Sequence, residues 1–277
     1  MARNKGKDFE NCLMYAAWSM AGLDVTAKGY DALYAQADKT VREFSFKCLE
    51  NIFSDVGASS AAQKKALCAT FEQLGGSSPE PKTDILFSHG GKTYKCSMKW
   101  GNTFQASSAG VEGTEKFLME VIKASVGTVN TTALGEVVAV LSQLDGLLGD
   151  DKKDTAARMQ QKLAKIRQKD GLQFRLQQAF GSAKSPQVDD VFVDFKKAVI
   201  HESLTGDLVF GGNNNAANYV LTGPKYALKP INDDYIKHVM GKSSVRISAK
   251  GRGKTILPQS GEVVRYQECV IRFDMKD

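Results

Sequence analysis

The sequence lacks most of the patterns that would mark a secreted, membrane-spanning or metal-stapled chain. No apolar run approaches the roughly 20 residues that a membrane span needs. The opening stretch, Met-Ala-Arg-Asn-Lys-Gly-Lys-Asp, is charged where a signal peptide would be apolar, which predicts an intracellular address. The five cysteines, Cys12, Cys48, Cys68, Cys96 and Cys269, are odd in number and scattered, with no CxxC pair. That spacing argues against a disulfide framework and a zinc knuckle, and for reduced, mostly buried thiols. The three histidines, His89, His201 and His238, are far apart and show no HxxxH-like ligand spacing. There is no GxSxG elbow, and Gly251-Arg252-Gly253-Lys254 lacks the spacing of a phosphate loop.

What is present belongs to a globular protein. The chain has 277 residues, 42% apolar and 25% charged, with 37 Lys and Arg against 31 Asp and Glu. This length buries a real core as one large domain or two small ones. The balance of +6 permits a polyanionic partner but does not require one.

Helical spacing dominates the first 75 residues. Phe9, Leu13, Ala16, Ala17 and Met20 recur on one side of a helix that Gly22 ends. A second helical stretch is expected from about Tyr30 to Phe53, and a third, capped by Ser59 or Ser60, reaching Leu74. Thr83–Phe87 and Lys92–Lys99 then read as two strands joined at Gly90-Gly91, an antiparallel hairpin. Further on, helices are expected over Glu112–Ala124, Thr131–Phe180 and Val188–Glu202, with a polar loop at Gly211–Asn215. Ser244–Ala249 and Val263–Phe273 read as strands flanking a flexible basic loop, Lys250-Gly251-Arg252-Gly253-Lys254. These C-terminal strands either join the hairpin's sheet or form a small one of their own.

The hairpin carries the chemistry. Side chains alternate along a strand, so Lys95, Ser97 and Lys99 share one face, and Tyr94, Cys96 and Met98 the other. Pairing across the glycine turn brings Asp84 beside the Ser97–Lys99 end. For an arbitrary hairpin a structural ion pair is the ordinary explanation, although burying one costs desolvation that an apolar pair would avoid.

Pro81-Lys82-Thr83-Asp84, followed across the hairpin by Ser97-Met98-Lys99, resembles the core of the PD-(D/E)XK nuclease superfamily. In that family a strand bears Asp, and an acid-x-Lys triplet follows across a hairpin. Gly6-Lys7-Asp8-Phe9-Glu10 is similar to the opening of the family's first helix, which contributes a Glu to the same site. Gln105-Ala106-Ser107-Ser108 is similar to a segment after the catalytic Lys in some phage-encoded members. The likeness covers about residues 6 to 124, with one departure: Ser97 stands where the family has an acid. A hydroxyl there can hold a metal-bound water, a carboxylate can come from Glu112 or Glu115 instead, or the site is dead and only the fold is kept.

The resemblance implies an α/β fold, a restriction-endonuclease-like mixed sheet flanked by helices. It is expected as a single domain over 1–277 with a helical insertion or arm at 131–180. It implies a Mg²⁺- or Mn²⁺-dependent deoxyribonuclease of phage or mobile-element type. The catalytic set would be Glu10, Asp84, Ser97, Lys99 and Gln105; Glu10, Asp84 and the Met98 carbonyl would hold the metal. Lys250, Arg252 and Lys254 would hold DNA through its phosphates. No membrane is implied; the location would be the host cytoplasm or a virion, and a homodimer is compatible with the sequence. The rivals are a catalytically inactive DNA-binding or virion protein on the same scaffold and a helical interaction module with an accidental match.

Overall fold

A computed structural model describes residues 4–74, 82–109, 121, 190–207, 216–256 and 263–275. In chain order its elements are α1 (Lys5–Ala21), a 3₁₀ turn (Thr26–Lys28), α2 (Tyr30–Gln36), α3 (Lys39–Val56), α4 (Ala61–Cys68), β1 (Glu72–Gln73), β2 (Ile85–His89), β3 (Lys92–Trp100) and β4 (Thr103–Ala109). Then come α5 (Asp190–Thr205), β5 (Tyr219–Gly223), β6 (Ala227–Pro230), α6 (Asp233–Lys242), β7 (Ser243–Ile256) and β8 (Val263–Met275). Two compact units divide the chain: Met1–Asn102 with Leu204–Tyr235, and Thr103–Ser203 with Ile236–Asp277.

In the first unit, α1 begins where the Asn4 side chain accepts the N–H groups of Gly6 and Lys7. It stops at Gly22, whose φ of 76° returns the cap N–H to the last turn, as the spacing predicts. The expected single helix from Tyr30 to Phe53 is two helices. Asp38 interrupts it, because its carboxylate caps α3 by accepting the Thr40 N–H and its backbone is extended. Ser60 caps α4 in a reciprocal pair with Gln63. That helix ends at Cys68 rather than reaching Leu74, because Glu72 and Gln73 are drawn into the sheet as β1.

The sheet order is β1-β2-β3-β5-β6. The β1/β2, β2/β3 and β5/β6 pairs are antiparallel and β3/β5 is parallel, a mixed sheet flanked by helices. The α/β expectation is met at that level. The hairpin forms as expected, with Gly90 and Gly91 at φ 58° and 77°, the double positive turn that suits twisted strands. Cys96 and Ser97 are both fully buried, so β3 is covered on both faces. One apolar cluster joins α1, α3, α4 and the sheet, centred on Phe9, Leu13, Leu49, Ile52, Ile85 and Phe87. Cys12, Cys48, Cys68 and Cys96 are free and buried, as expected.

The second unit holds a separate antiparallel sheet, order β4-β8-β7, so the C-terminal strands do not join the hairpin's sheet. The basic segment Lys250–Lys254 is not a loop: β7 runs through it to Ile256. Lys250 lies opposite Glu268 and Lys254 opposite Arg265, with a register shift between Gly251 and Lys254. Glycines at 251 and 253 let the strand take a bulge there instead of turning. The expected helices at 131–180 and 112–124 (apart from Val121, which is helical) and the loop at 211–215 lie outside the described residues. Among the described residues no helix is long and apolar enough to cross a membrane.

Trp100 and Gly223 face each other in the parallel register, and the indole stands edge-on to Phe9 and Phe44 at 5.3 and 5.4 Å. A Cβ on Gly223 would fall 2.7 Å from the Phe44 ring and 2.8 Å from Trp100. Both rings belong to or pack on the core, so they cannot retreat without opening it. Gly223→Ala is therefore expected to lose about 2 kcal/mol in urea unfolding, the usual range for overpacking.

Candidate active site

Asp84 sits one residue ahead of β2, clamped from both sides through its backbone. Its N–H donates to the Cys96 carbonyl at 2.9 Å, and its carbonyl accepts the Leu74 N–H at 3.0 Å. The side chain then meets β3, where Oδ2 accepts the Met98 N–H at 2.6 Å. This follows from the register, since Ile85 pairs with Cys96 and the next position outward sets Asp84 against Ser97.

Lys99 reaches back along its own strand. Its Nζ donates to Ser97 Oγ at 2.5 Å and to the Met98 carbonyl at 3.2 Å. Ser97 is wholly buried, so its hydroxyl is a fixed acceptor that holds the ammonium beside Asp84. Met98 serves through its backbone alone, its N–H on Asp84 and its carbonyl on Lys99.

Glu10 comes from α1, one turn on from Lys7. Lys7 Nζ donates to Glu10 Oε2 at 2.6 Å, and Gln73 Nε2 donates to the same oxygen at 3.2 Å. The Glu10 side chain is only 13% exposed, against 48% for Lys7. Burial, reinforced by the charge of Asp84, pushes the Glu10 carboxyl up to about 7. Burial also raises Asp84, opposed first by the Lys99 ammonium and then by the Met98 N–H. The two carboxyls therefore stand close enough for the charge of Asp84 to act on Glu10.

Glu10, Asp84, Ser97, Met98 and Lys99 thus share one place in the first unit. The other predicted residues belong to the second unit: Gln105 on β4 opposite Arg272, and Lys250, Arg252 and Lys254 on β7. Glu112 and Glu115 lie outside the described residues. Among the described residues no three His, Cys, Asp or Glu side chains gather as a metal site. The donors that do converge are hard oxygens: two carboxylates and a backbone carbonyl. That chemistry fits Mg²⁺ or Mn²⁺, which accept few protein ligands and keep waters, better than a softer ion. No protein-family model, curated protein or solved structure matches the chain.

Three residues at this site escape sequence reasoning. Lys7 has a local signal, its i,i+3 spacing from Glu10. Lys82, whose charge reaches Asp84, lies two residues before it. Gln73 has none, because only the pairing of β1 with β2 brings it to α1. Asp8, in the same motif as Glu10, is structural: its carboxylate accepts the Asp38 N–H at 3.3 Å.

A carboxyl raised in the folded state favours folding below its unfolded value and forfeits that as pH climbs through the folded one. For Glu10 the window is from about 4.5 to about 7. Without divalent ions, the wild type should lose stability relative to Glu10→Gln across that window, by up to about 3 kcal/mol. Thermal unfolding of both proteins at several pH values measures it; parallel curves would show that Glu10 titrates normally.

Proposed function

We propose that the protein is a divalent-metal-dependent deoxyribonuclease of the PD-(D/E)XK type, with a restriction-endonuclease-like first unit. The observation that carries this reading is the convergence of Glu10 from α1 with Asp84 and Lys99 of the hairpin, the family's order and elements. A mixed sheet with that hairpin at its centre supports it.

Glu10 and Asp84 are the residues that would hold Mg²⁺ or Mn²⁺, with the Met98 carbonyl as a third donor once Lys99 moves off it. Bound there, the ion would supply Lewis-acid polarisation of a phosphodiester and neutralise charge on it. Lys99 orients the attacking water and offsets negative charge growing on the phosphate. Ser97 holds the Lys99 ammonium in place, a role for the hydroxyl that does not require it to touch the ion. Lys7 and Lys82 add positive charge beside the carboxylates and favour the approach of a polyanion.

DNA as the substrate has a second line of support. Arg246 lies opposite Arg272, and Lys254 opposite Arg265, in the β7/β8 register. The same register sets Lys250 opposite Glu268, so basic residues recur along both strands with few acids among them. A phosphate backbone laid along that unit would release counterions as those residues neutralised it. An inactive DNA-binding protein on the same scaffold is the reading that Ser97 favours, since its hydroxyl engages Lys99 in place of the family's acid.

Purified protein should nick or degrade DNA with Mg²⁺ or Mn²⁺ and stop on chelation. Asp84→Asn should lower the rate by at least about a hundredfold. Ser97→Ala, which frees Lys99 but leaves both carboxylates, should cost about tenfold. If no duplex, single-stranded or branched DNA is cut faster than by Asp84→Asn, the inactive binding reading replaces this one.

Lys250, Arg252 and Lys254 make a separate test, because strand residues that meet phosphates act on affinity and leave sequence preference alone. The triple alanine variant should bind every duplex more weakly. Its slope of log affinity against log salt should flatten by about 0.9 for each phosphate that is no longer neutralised. An unchanged slope in fluorescence anisotropy would move the DNA track off β7.

A further inference from the structure

Gln73 makes more of its side chain than a two-residue edge strand needs. Its Nε2 donates to Glu10 Oε2 and to Asn11 Oδ1, both at 3.2 Å, and its Oε1 accepts the Tyr30 hydroxyl at 3.3 Å. Asn11 and Tyr30 are themselves buried, at 7% and 6% exposure. An amide so placed is favourable only with its groups paired, and this one is paired at both ends. An ionised Glu10 only accepts, so it takes the Nε2 end of the amide, and Tyr30 on α2 anchors the other end by donating its O–H to Oε1.

The neighbouring residue does the complementary task. Leu74 donates its N–H to the Asp84 carbonyl, while Gln73 lies opposite Ile85, the residue after Asp84. Consecutive residues of one short segment therefore hold both acids, Asp84 by its backbone and Glu10 by its side chain. Lys7 also binds Glu10 Oε2, but it is a half-exposed cation that a divalent ion would displace. The neutral amide has no charge to compete with and stays.

We propose that Gln73, oriented by Tyr30 and Asn11, is a positioning residue that fixes the Glu10 carboxylate beside Asp84, so that the pair meets a divalent cation already in place. This rests on the metal-dependent reading of the site. Holding a carboxylate in one rotamer before the ion arrives removes an ordering cost from binding, and outer partners of this kind typically govern affinity by about 10- to 100-fold.

The test is Mn²⁺ binding to the full-length protein by isothermal titration calorimetry, with no DNA present. Gln73→Leu keeps the bulk and loses the hydrogen bonds; it should bind Mn²⁺ about tenfold or more weakly. Its DNA cleavage rate at saturating Mn²⁺ should stay near wild type, because the ion, once bound, fixes Glu10 itself. Tyr30→Phe removes only the orienting hydroxyl and should weaken Mn²⁺ about threefold. Wild-type affinity in Gln73→Leu overturns the proposal, as does a cleavage rate that stays low at saturating Mn²⁺. If Gln73→Leu fails to fold, Tyr30→Phe decides, and an unchanged affinity there overturns it. A folded wild type that binds no Mn²⁺ removes the metal reading and this inference together, whereas tight wild-type binding matched by both variants removes this inference alone.

Discussion

The register of the β2/β3 hairpin is the constraint on which the site depends. Gly90 and Gly91 make a two-residue turn that only glycine-like backbones enter without strain, and that turn fixes which residues face one another. A slip of one residue would carry Ser97 and Lys99 to the opposite face and take the Met98 N–H away from Asp84. It would also carry Cys96, fully buried in the core, to the face that Ser97 now occupies. The apolar core and the polar site are thus specified by the same register, and a mutation that shifts one shifts the other.

A site of this kind works against the stability of the chain that carries it. Burial holds Glu10 and Asp84 away from water and raises both carboxyls, and the charge of Asp84 raises Glu10 further. The compensation is assembled from nearby donors: Met98 N–H and Lys99 for Asp84, Lys7 and Gln73 for Glu10. The rest comes from the apolar cluster beneath. Phe9, the residue before Glu10, packs on Phe44 and Trp100, and Trp100 follows Lys99. Adjacent residues on α1 and on β3 therefore send one side chain to the core and the next to the site.

How much of this was legible in the sequence follows from how local each signal is. The Gly22 end of α1, a serine cap at 59 or 60 and the glycine turn depend on residues a few positions apart, and these were readable. The hairpin register followed from the turn, and with it the meeting of Asp84 with Ser97 and Lys99. Asp38 misled because a capping side chain inside an apolar 3.6-residue pattern looks like a solvated helix position until its backbone is seen to be extended. The basic run at Lys250–Lys254 misled because alternating glycines signal a turn as readily as a bulge, and only the pairing with β8 distinguishes them. β5 and β6 went unread: Tyr219–Gly223 pairs in parallel with β3 across more than a hundred intervening residues, beyond any local pattern. Gln73 belongs with them, since its partners Glu10 and Tyr30 are 63 and 43 residues away.

Ser97 is the residue where fold and chemistry press hardest on one another. Position 97 is fully buried and its Oγ lies 2.5 Å from Lys99 Nζ. An acid there would be a third buried carboxylate beside two whose burial already disfavours their charged forms. It would form a close ion pair with Lys99, and such a pair regains its desolvation cost only when further hydrogen bonds complete it. A hydroxyl avoids that cost and still accepts from the ammonium, whose charge is then directed at Asp84 alone among the acids of the hairpin. The consequence for the proposed chemistry is a transfer of emphasis. With one fewer anionic oxygen a divalent cation would be held less tightly, so the placement of Glu10 and Asp84 would matter more. Lys99, not tied to an acid on its own strand, would have more of its charge to offer the phosphate of the proposed substrate.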